Sequence, residues 1–315
     1  MKNLLLNSML AFGVLMISCK KDEVPEPDPQ PTSNLSSVFN DNLSDAKQSF
    51  TINAGVYNEI TGTNGVKIGV QANSFVTASG SPVTGNITIS LVEILDQSNM
   101  ILMDMPTTSG TNVLVSGGQL NVTASQSGST IYLDDNASVS VMVPTNAFDS
   151  NMQLFDGVVD SDGDVDWILS TDDSSGMADS VIFVPDSSGG FFGGYYYFDW
   201  ADSSLGWINL DYFYSNPDGV TDMTIDLSAD YNQTNTAVFL HFSSLNSLSG
   251  AYHHGTDFVA YGAPIGEAVT IVCISEISGQ YYSAFVPVTI TSGLVVPVTM
   301  NATTLADIET AINNL

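Results

Sequence analysis

From Phe50 onward the chain runs in short stretches that alternate apolar and polar residues, cut apart by Gly, Asn, Asp and Ser-Gly pairs. A period of two sends successive side chains to opposite faces of a pleated ribbon, so a chain of this kind folds as antiparallel sheet. In Asn86–Ile94 (NITISLVEI), Ile87, Ile89, Leu91 and the less apolar Glu93 share one face, and Thr88, Ser90, Val92 and Ile94 share the other. The same pattern predicts strands over 66–70, 120–124, 138–143, 237–242, 269–275 and 280–289. One helix is predicted, over 304–314, where Leu305, Ile308, Ala311, Ile312 and Leu315 recur at spacings of three and four. Thr303 or Thr304 can cap its start, and Asp307 and Glu309 suit its positive end. The expected fold is mainly β, with two or three antiparallel sandwich-like segments and a short C-terminal helix. The segments are placed at 48–147, at an acidic, aromatic-rich 148–232 and at 233–315, and 315 residues are ample for such cores.

Charge narrows the functions open to this fold. The formal net charge is -29, from 34 acidic residues against five lysines at positions 2, 20, 21, 47 and 67. Nothing after Lys67 carries a fixed positive charge. Nucleic-acid binding neutralises phosphates with Lys and Arg, and phosphoryl transfer clamps developing charge with them, so neither nucleic acid nor nucleotide is an expected partner. Most of the acids are Asp, and 17 of the 27 Asp fall between Asp149 and Asp230, an acidic belt that could hold several weak cations or, the favoured expectation, keep a surface protein soluble and unattached.

The N-terminus reads as an export signal. Lys2 precedes the apolar run Leu4 to Ile17, which is too short for a membrane anchor, where about 20 apolar residues are needed. Met16-Ile17-Ser18-Cys19 resembles the lipobox of bacterial lipoproteins. The resemblance implies a signal peptide over 1–18, cleavage before Cys19 and diacylglyceryl attachment to its thiol. Lys20-Lys21-Asp22-Glu23 is similar to the signal that exports lipoproteins of the Bacteroidetes to the outer face of the outer membrane. Val24–Ser33 carries proline at every second position from Pro25 to Pro31, an extended spacer of roughly 30 Å within a lipidated tether over 19–47. With Cys19 lipidated only Cys273 remains, in VTIVCI, where a buried structural thiol is expected.

Several stretches together resemble one family. Thr63–Glu93, then Asn99–Leu102 with Pro106-Thr107, then Leu114–Val122 (LVSGGQLNV) are similar to the N-terminal domain of uncharacterised Bacteroidetes surface lipoproteins, itself similar to the ZU5 β-sandwich. Tyr195–Phe198, Leu205–Asp211 (LGWINLD) and Asn235–Leu240 resemble that family's second half, and LGWIN followed by Asp two residues later is the specific element. Leu210 and Tyr212 stand here where the family's pattern carries Cys and Arg, so no thiol or arginine role is implied.

Four groups of residues could carry chemistry. Asp160, Asp162 and Asp164 occupy positions 1, 3 and 5 of a calcium-loop pattern, with Asp166 following. Val165 stands where that pattern needs Gly, and Thr171 where it needs a bidentate Glu, so the choice lies between Ca²⁺ and a solvated turn. Trp207, Asn209 and Asp211 share one strand face, either a small recognition site or a hydrogen-bonded knot at a domain junction. In the aromatic run near Tyr195–Trp200, Tyr195 and Tyr197 face opposite to Tyr196, Phe198 and Trp200. One exposed row would make a platform for sugar rings, and buried rows would make core. His253-His254 with Asp257 is a weak metal signal, because neighbours on a strand point apart.

No nucleophile elbow, zincin helix or P-loop occurs. The expected role is non-enzymatic: a lipid-anchored outer-membrane surface protein that meets glycan or an envelope protein. The rival expectations are a cell-surface hydrolase with unrecognised residues and an accessory subunit of an outer-membrane uptake system.

Overall fold

The computed structural model describes residues 35–146, 148–160, 163–171, 181–185 and 194–315. Helix α1 (Leu35–Asp45) leads into β1 (Gln48–Asn53), β2 (Asn58–Thr61), β3 (Lys67–Val70), β4 (Phe75–Val76) and β5 (Asn86–Ile94). Helix α2 (Gln97–Leu102) and β6 (Thr108–Ser109) precede β7 (Asn112–Gln126), β8 (Ser129–Thr130) and β9 (Tyr132–Leu133). Next come β10 (Val139–Thr145), β11 (Gln153–Val159), β12 (Val165–Leu169), β13 (Ile182–Pro185), β14 (Gly194–Trp200) and β15 (Gly206–Phe213). The C-terminal part holds β16 (Val220–Asp226), β17 (Thr236–Phe242), β18 (Ser247–His254), β19 (Asp257–Pro264) and β20 (Ala268–Ile277). It ends with β21 (Gln280–Thr289), β22 (Val295–Pro297), β23 (Asn301–Thr303) and helix α3 (Leu305–Ile312).

These strands build three large sheets, and the fold is mainly β as expected. The first has the order β1-β5-β7-β15-β11-β12, the second β13-β14-β10-β3-β2, and the third β22-β16-β19-β18-β17-β20-β21-β23. All pairings in them are antiparallel except the parallel β16–β22 contact. The first two sheets close over one core. Ile87, Ile89, Leu91, Leu120, Val122, Ile208 and Leu210 meet Ile68, Val139, Val141, Val143, Tyr196, Phe198 and Trp200. The third sheet encloses a second core between its own strands, with Met223, Ile225, Leu240, Phe242, Ile271 and Cys273 inside.

A third apolar layer joins the two bodies. Val92, Ile94, Leu114, Phe155 and Trp167 on the outer face of the first sheet oppose Phe239, Leu248, Val272 and Ile274 of the third. Leu35 and Phe39 of α1, Met100 and Ile101 of α2, and Ile308 and Ile312 of α3 belong to the same layer. This is why β5 and β20 are buried on both faces: each lies between two cores, which ends the simple alternation read from the sequence.

Two expectations about organisation are corrected. Residues 35–47 do not belong to the tether, because α1 lays Leu35 and Phe39 into the joining layer, with Phe39 edge-on to Phe239 at a centroid distance of 6.4 Å. The stretch 148–232 is not a separate segment either. Its β11, β12 and β15 complete the first sheet, β13 and β14 complete the second, and β16 belongs to the third. Among the described residues the aspartates of this stretch fall both in strands, as Asp156, Asp166, Asp199, Asp211, Asp222 and Asp226 do, and in the turns between them, and the apolar strand positions pair with strands on either side. Residues 1–34, including the signal peptide, Cys19 and the proline spacer, lie outside the described residues.

Glu93 shows what an acid inside this fold requires. It is buried at 3% exposure, and its carboxylate accepts from the Gln48 amide (2.7 Å), the Asn64 N–H (3.0 Å) and the Val66 N–H (2.9 Å). These bonds close the turn between β2 and β3. Gly62 lies so near that a Cβ there would stand 2.4 Å from Glu93 Oε2.

Candidate functional site

On the face formed by Trp207, Asn209 and Asp211 the two polar residues are closed to solvent and the Trp207 ring is half-buried. Asn209 is 1% exposed and Asp211 0%, while Trp207 packs edge-on against buried Trp167 at 6.3 Å. Asn209 Nδ2 donates to Asp211 Oδ2 at 2.6 Å. Burial pushes the Asp211 carboxyl well above the usual carboxylate range, against hydrogen bonds from Ser116, Asn209 and the Gly117 amide that favour ionisation. The strand irregularity between Leu210 and Asp211 sits opposite Ser116–Gly118, where Gly118 adopts φ 132° and a Cβ on Gly117 would come 3.0 Å from the Leu210 carbonyl. The Gly-Gly pair in LVSGGQLNV is therefore a bulge that turns this face towards the joining layer.

Around this face runs a buried polar seam between the first and third sheets. Asn246 donates to the Ser116 carbonyl (2.9 Å), Gln119 to the Met105 carbonyl (3.0 Å) and the Trp167 indole to the Pro106 carbonyl (2.9 Å). The Thr107 and Ser247 hydroxyls meet at 2.9 Å, while Thr107 N–H donates to the Leu248 carbonyl at 2.7 Å. Gln97 spans the carbonyls of Phe242 and Ser247 at 2.7 and 2.9 Å. In this geometry Asn209 and Asp211 form a polar knot with Ser116 at the β7 bulge, and a fully buried pair offers no surface to a ligand.

The aspartate loop forms the tip of the β11–β12 hairpin. Asp160 Oδ1 accepts from the Gly163 N–H (2.9 Å) and the Asp164 N–H (3.0 Å), the pattern of an Asx-stabilised turn. Asp166 Oδ1 accepts from the Gly110 N–H (2.9 Å) in the β6–β7 turn. Asp162 lies outside the described residues. Among the described residues no group of three or more His, Cys, Asp or Glu side chains is placed to hold a metal ion. The loop does face two groups that sequence reasoning missed, Asp104 after α2 and Tyr252 on β18. Tyr252 is 54% exposed, and the partial burial of its hydroxyl, followed by the charges of Asp164, Asp104, Asp166 and Asp160, pushes that hydroxyl upward.

Asp104 supplies a test of this acidic corner. Burial first, and then the Asp164 charge, push its carboxyl from 3.8 to about 6. A carboxyl raised by folding stabilises the fold while neutral, so that contribution is complete below pH 3.8 and is lost as the pH rises through 6. Asp104→Asn should therefore melt higher than the parent at pH 7, by about 1–2 kcal/mol for a partly exposed group, with the pH-dependent part of the gain gone at pH 3.5. Asp104 has φ 53°, and Asn tolerates that conformation at any pH. Urea melts at the two pH values separate the two effects. An equal gain at both would assign the whole effect to the backbone.

The remaining candidates occupy ordinary structural positions. His253 stacks edge-on to Phe258 at 5.2 Å and His254 pairs across the hairpin with Asp257, so the two imidazoles point apart. His241 is buried at 4% exposure, and burial holds its imidazole below the usual range, hence neutral. Burial pushes the Cys273 thiol up to about 12, the state of an inert core residue. On β14 the two faces differ: Tyr196, Phe198 and Trp200 are core, whereas Tyr195 and Tyr197 are half-buried on the outside of the second sheet. No family model, no curated protein and no solved structure matches the chain.

Proposed function

We propose that this chain is a lipid-anchored protein of the outer-membrane surface with a binding or structural role and no catalytic one. The observation that carries the proposal is the order Met16-Ile17-Ser18-Cys19, Lys20-Lys21-Asp22-Glu23 and the proline spacer ahead of the folded body. The two acyl chains of a diacylglyceryl group on Cys19 hold far more firmly than one, because each buried CH₂ contributes about 0.8 kcal/mol. The bonds of Asn246 to the Ser116 carbonyl and of Thr107 to Ser247 and the Leu248 carbonyl support a rigid two-body scaffold, since they tie the first sandwich to the third sheet. The chain has no Lys or Arg after position 67, which accords with partners that are neutral or cationic.

Fractionation tests the anchor. The parent should sediment with the outer membrane in high salt and be digested when intact cells are treated with protease, while Cys19→Ala should appear in the soluble fraction. Retention of Cys19→Ala in washed membranes would defeat the lipid-anchor reading, and turnover of glycosides, peptides or esters by the purified chain would defeat the non-catalytic one.

A further inference from the structure

We infer that the outer face of the second sheet is a binding platform for neutral polysaccharide, a deepening that rests on the surface-binding role proposed above. Antiparallel pairing sets the residues of this face in rows across the strands. One row reads Ile182, Tyr197, Met142, Lys67 and Thr61, and the row beside it reads Asp199, Ser140, Gly69 and Glu59. Strands about 4.8 Å apart bring such row neighbours into contact. The solvent face of an antiparallel sheet is ordinarily polar, yet this one displays tyrosine, methionine and isoleucine. Ile182 and Tyr57 are each 54% exposed.

Gly69 shapes the centre of the face. A Cβ at this position would stand 2.4 Å from Ser140 Oγ and 3.0 Å from Tyr57 Oη, so the missing side chain lets the Tyr57 ring lie down on the sheet. The hydrogen bond to Asp199 first, then burial and the Asp199 charge, raise the Tyr197 hydroxyl, and the Tyr57 hydroxyl is close enough to add to that. Lys67 Nζ sits 4.8 Å above the centre of the Tyr195 ring, which engages the one cation on this face. Tyr197 donates to Asp199 Oδ1 at 2.8 Å.

The chemistry of these groups selects the occupant. Tyrosine offers an apolar ring with a polar tip, which matches a sugar's C–H face and its hydroxyl edge. Asp199 and Glu59 are exposed at the side of the rings and accept hydroxyl hydrogens. Uronates and sulfated polymers would bring like charge to a chain of net charge -29 whose only local cation is engaged. A second copy of the chain would bring the same repulsion, so a neutral polymer fits best.

Native electrophoresis of the full chain, purified in detergent, through gels holding laminarin, xylan, galactomannan, starch or polygalacturonate tests the platform. At least one neutral polymer should retard the chain and polygalacturonate should not. Tyr57→Ala should weaken the retarding affinity roughly tenfold, and Tyr197→Phe should keep most of it. Tyr57 is exposed, so its removal leaves the core intact, and Phe213→Ala on the first sheet should behave as the parent. Equal mobility in all the neutral gels, unchanged binding by Tyr57→Ala, or retardation by polygalacturonate as strong as by the neutral polymers would each overturn the inference. Membrane release of Cys19→Ala is scored without these gels, so the platform and the anchor fail separately.

Discussion

Trp167→Ala is expected to destabilise the chain by about 3–5 kcal/mol, whereas Ile168→Ala, its neighbour on β12, should cost no more than about 0.5 kcal/mol. The contrast follows from orientation alone. Trp167 is fully buried in the joining layer, edge-on to Trp207, with its indole N–H donating to the Pro106 carbonyl. Ile168 points the other way and is 52% exposed. Removing the indole opens a cavity between two sheets and leaves a buried carbonyl without its donor, two losses that the rigid strands cannot relax away. Urea unfolding gives the magnitude. The same variant should also separate one unfolding transition into two, because the layer it damages couples the two bodies. A loss under 1 kcal/mol for Trp167→Ala would show that the joining layer contributes little.

The second large effect is expected at Glu93. Glu93→Ala removes the acceptor of three hydrogen bonds and strands the buried Val66 N–H among apolar neighbours, a loss of about 3–5 kcal/mol. Glu93→Gln keeps one carbonyl oxygen and should lose about half as much. Gly62→Ala tests the same contact from the other side, because its methyl group would enter the space of the carboxylate. Since the two changes share that space, Gly62→Ala should be damaging in the parent and milder by at least 1 kcal/mol, a rough figure, in Glu93→Ala. Denaturation of the two single variants and the double variant measures the coupling, and strict additivity would mean that the turn is held by other bonds.

What could be read before folding, and what could not, divides along physical lines. β5 and β21 have the predicted limits, and α3 differs only at its ends, because period and capping are local properties. Helix α1 was equally local. Leu35, Phe39 and Leu43 recur at four, but the proline run before them made the whole stretch resemble a spacer. Composition misplaced the acidic stretch for another reason: its aspartates stand in strands and turns alike, and net charge does not decide which strands pair. The LGWIN-x-D face was legible as Trp207, Asn209 and Asp211 on one side of a strand, but its closure depends on Ser116, Gln119 and Asn246 from distant elements. Asp104 and Tyr252 lie beside the aspartate hairpin only because α2 and β18 bring them there, a convergence that no spacing records.

The joining layer also fixes an order of assembly. Its first helix begins at Leu35 and its last ends at Ile312, and Ser98 in the first turn of α2 donates to the Ile312 carbonyl at 3.2 Å across 214 positions. Contacts so distant in sequence pay their loop-closure entropy before any gain, which slows folding. A chain delivered amino end first would therefore carry Val92, Ile94, Phe155 and Trp167 without their partners Phe239, Leu248, Val272 and Ile274 until the third sheet had formed. Until then the first sandwich is an aggregation hazard. Helix α3 then seats Ile308 and Ile312 in the same layer, so the joint is completed by an element that follows both sandwiches in the sequence.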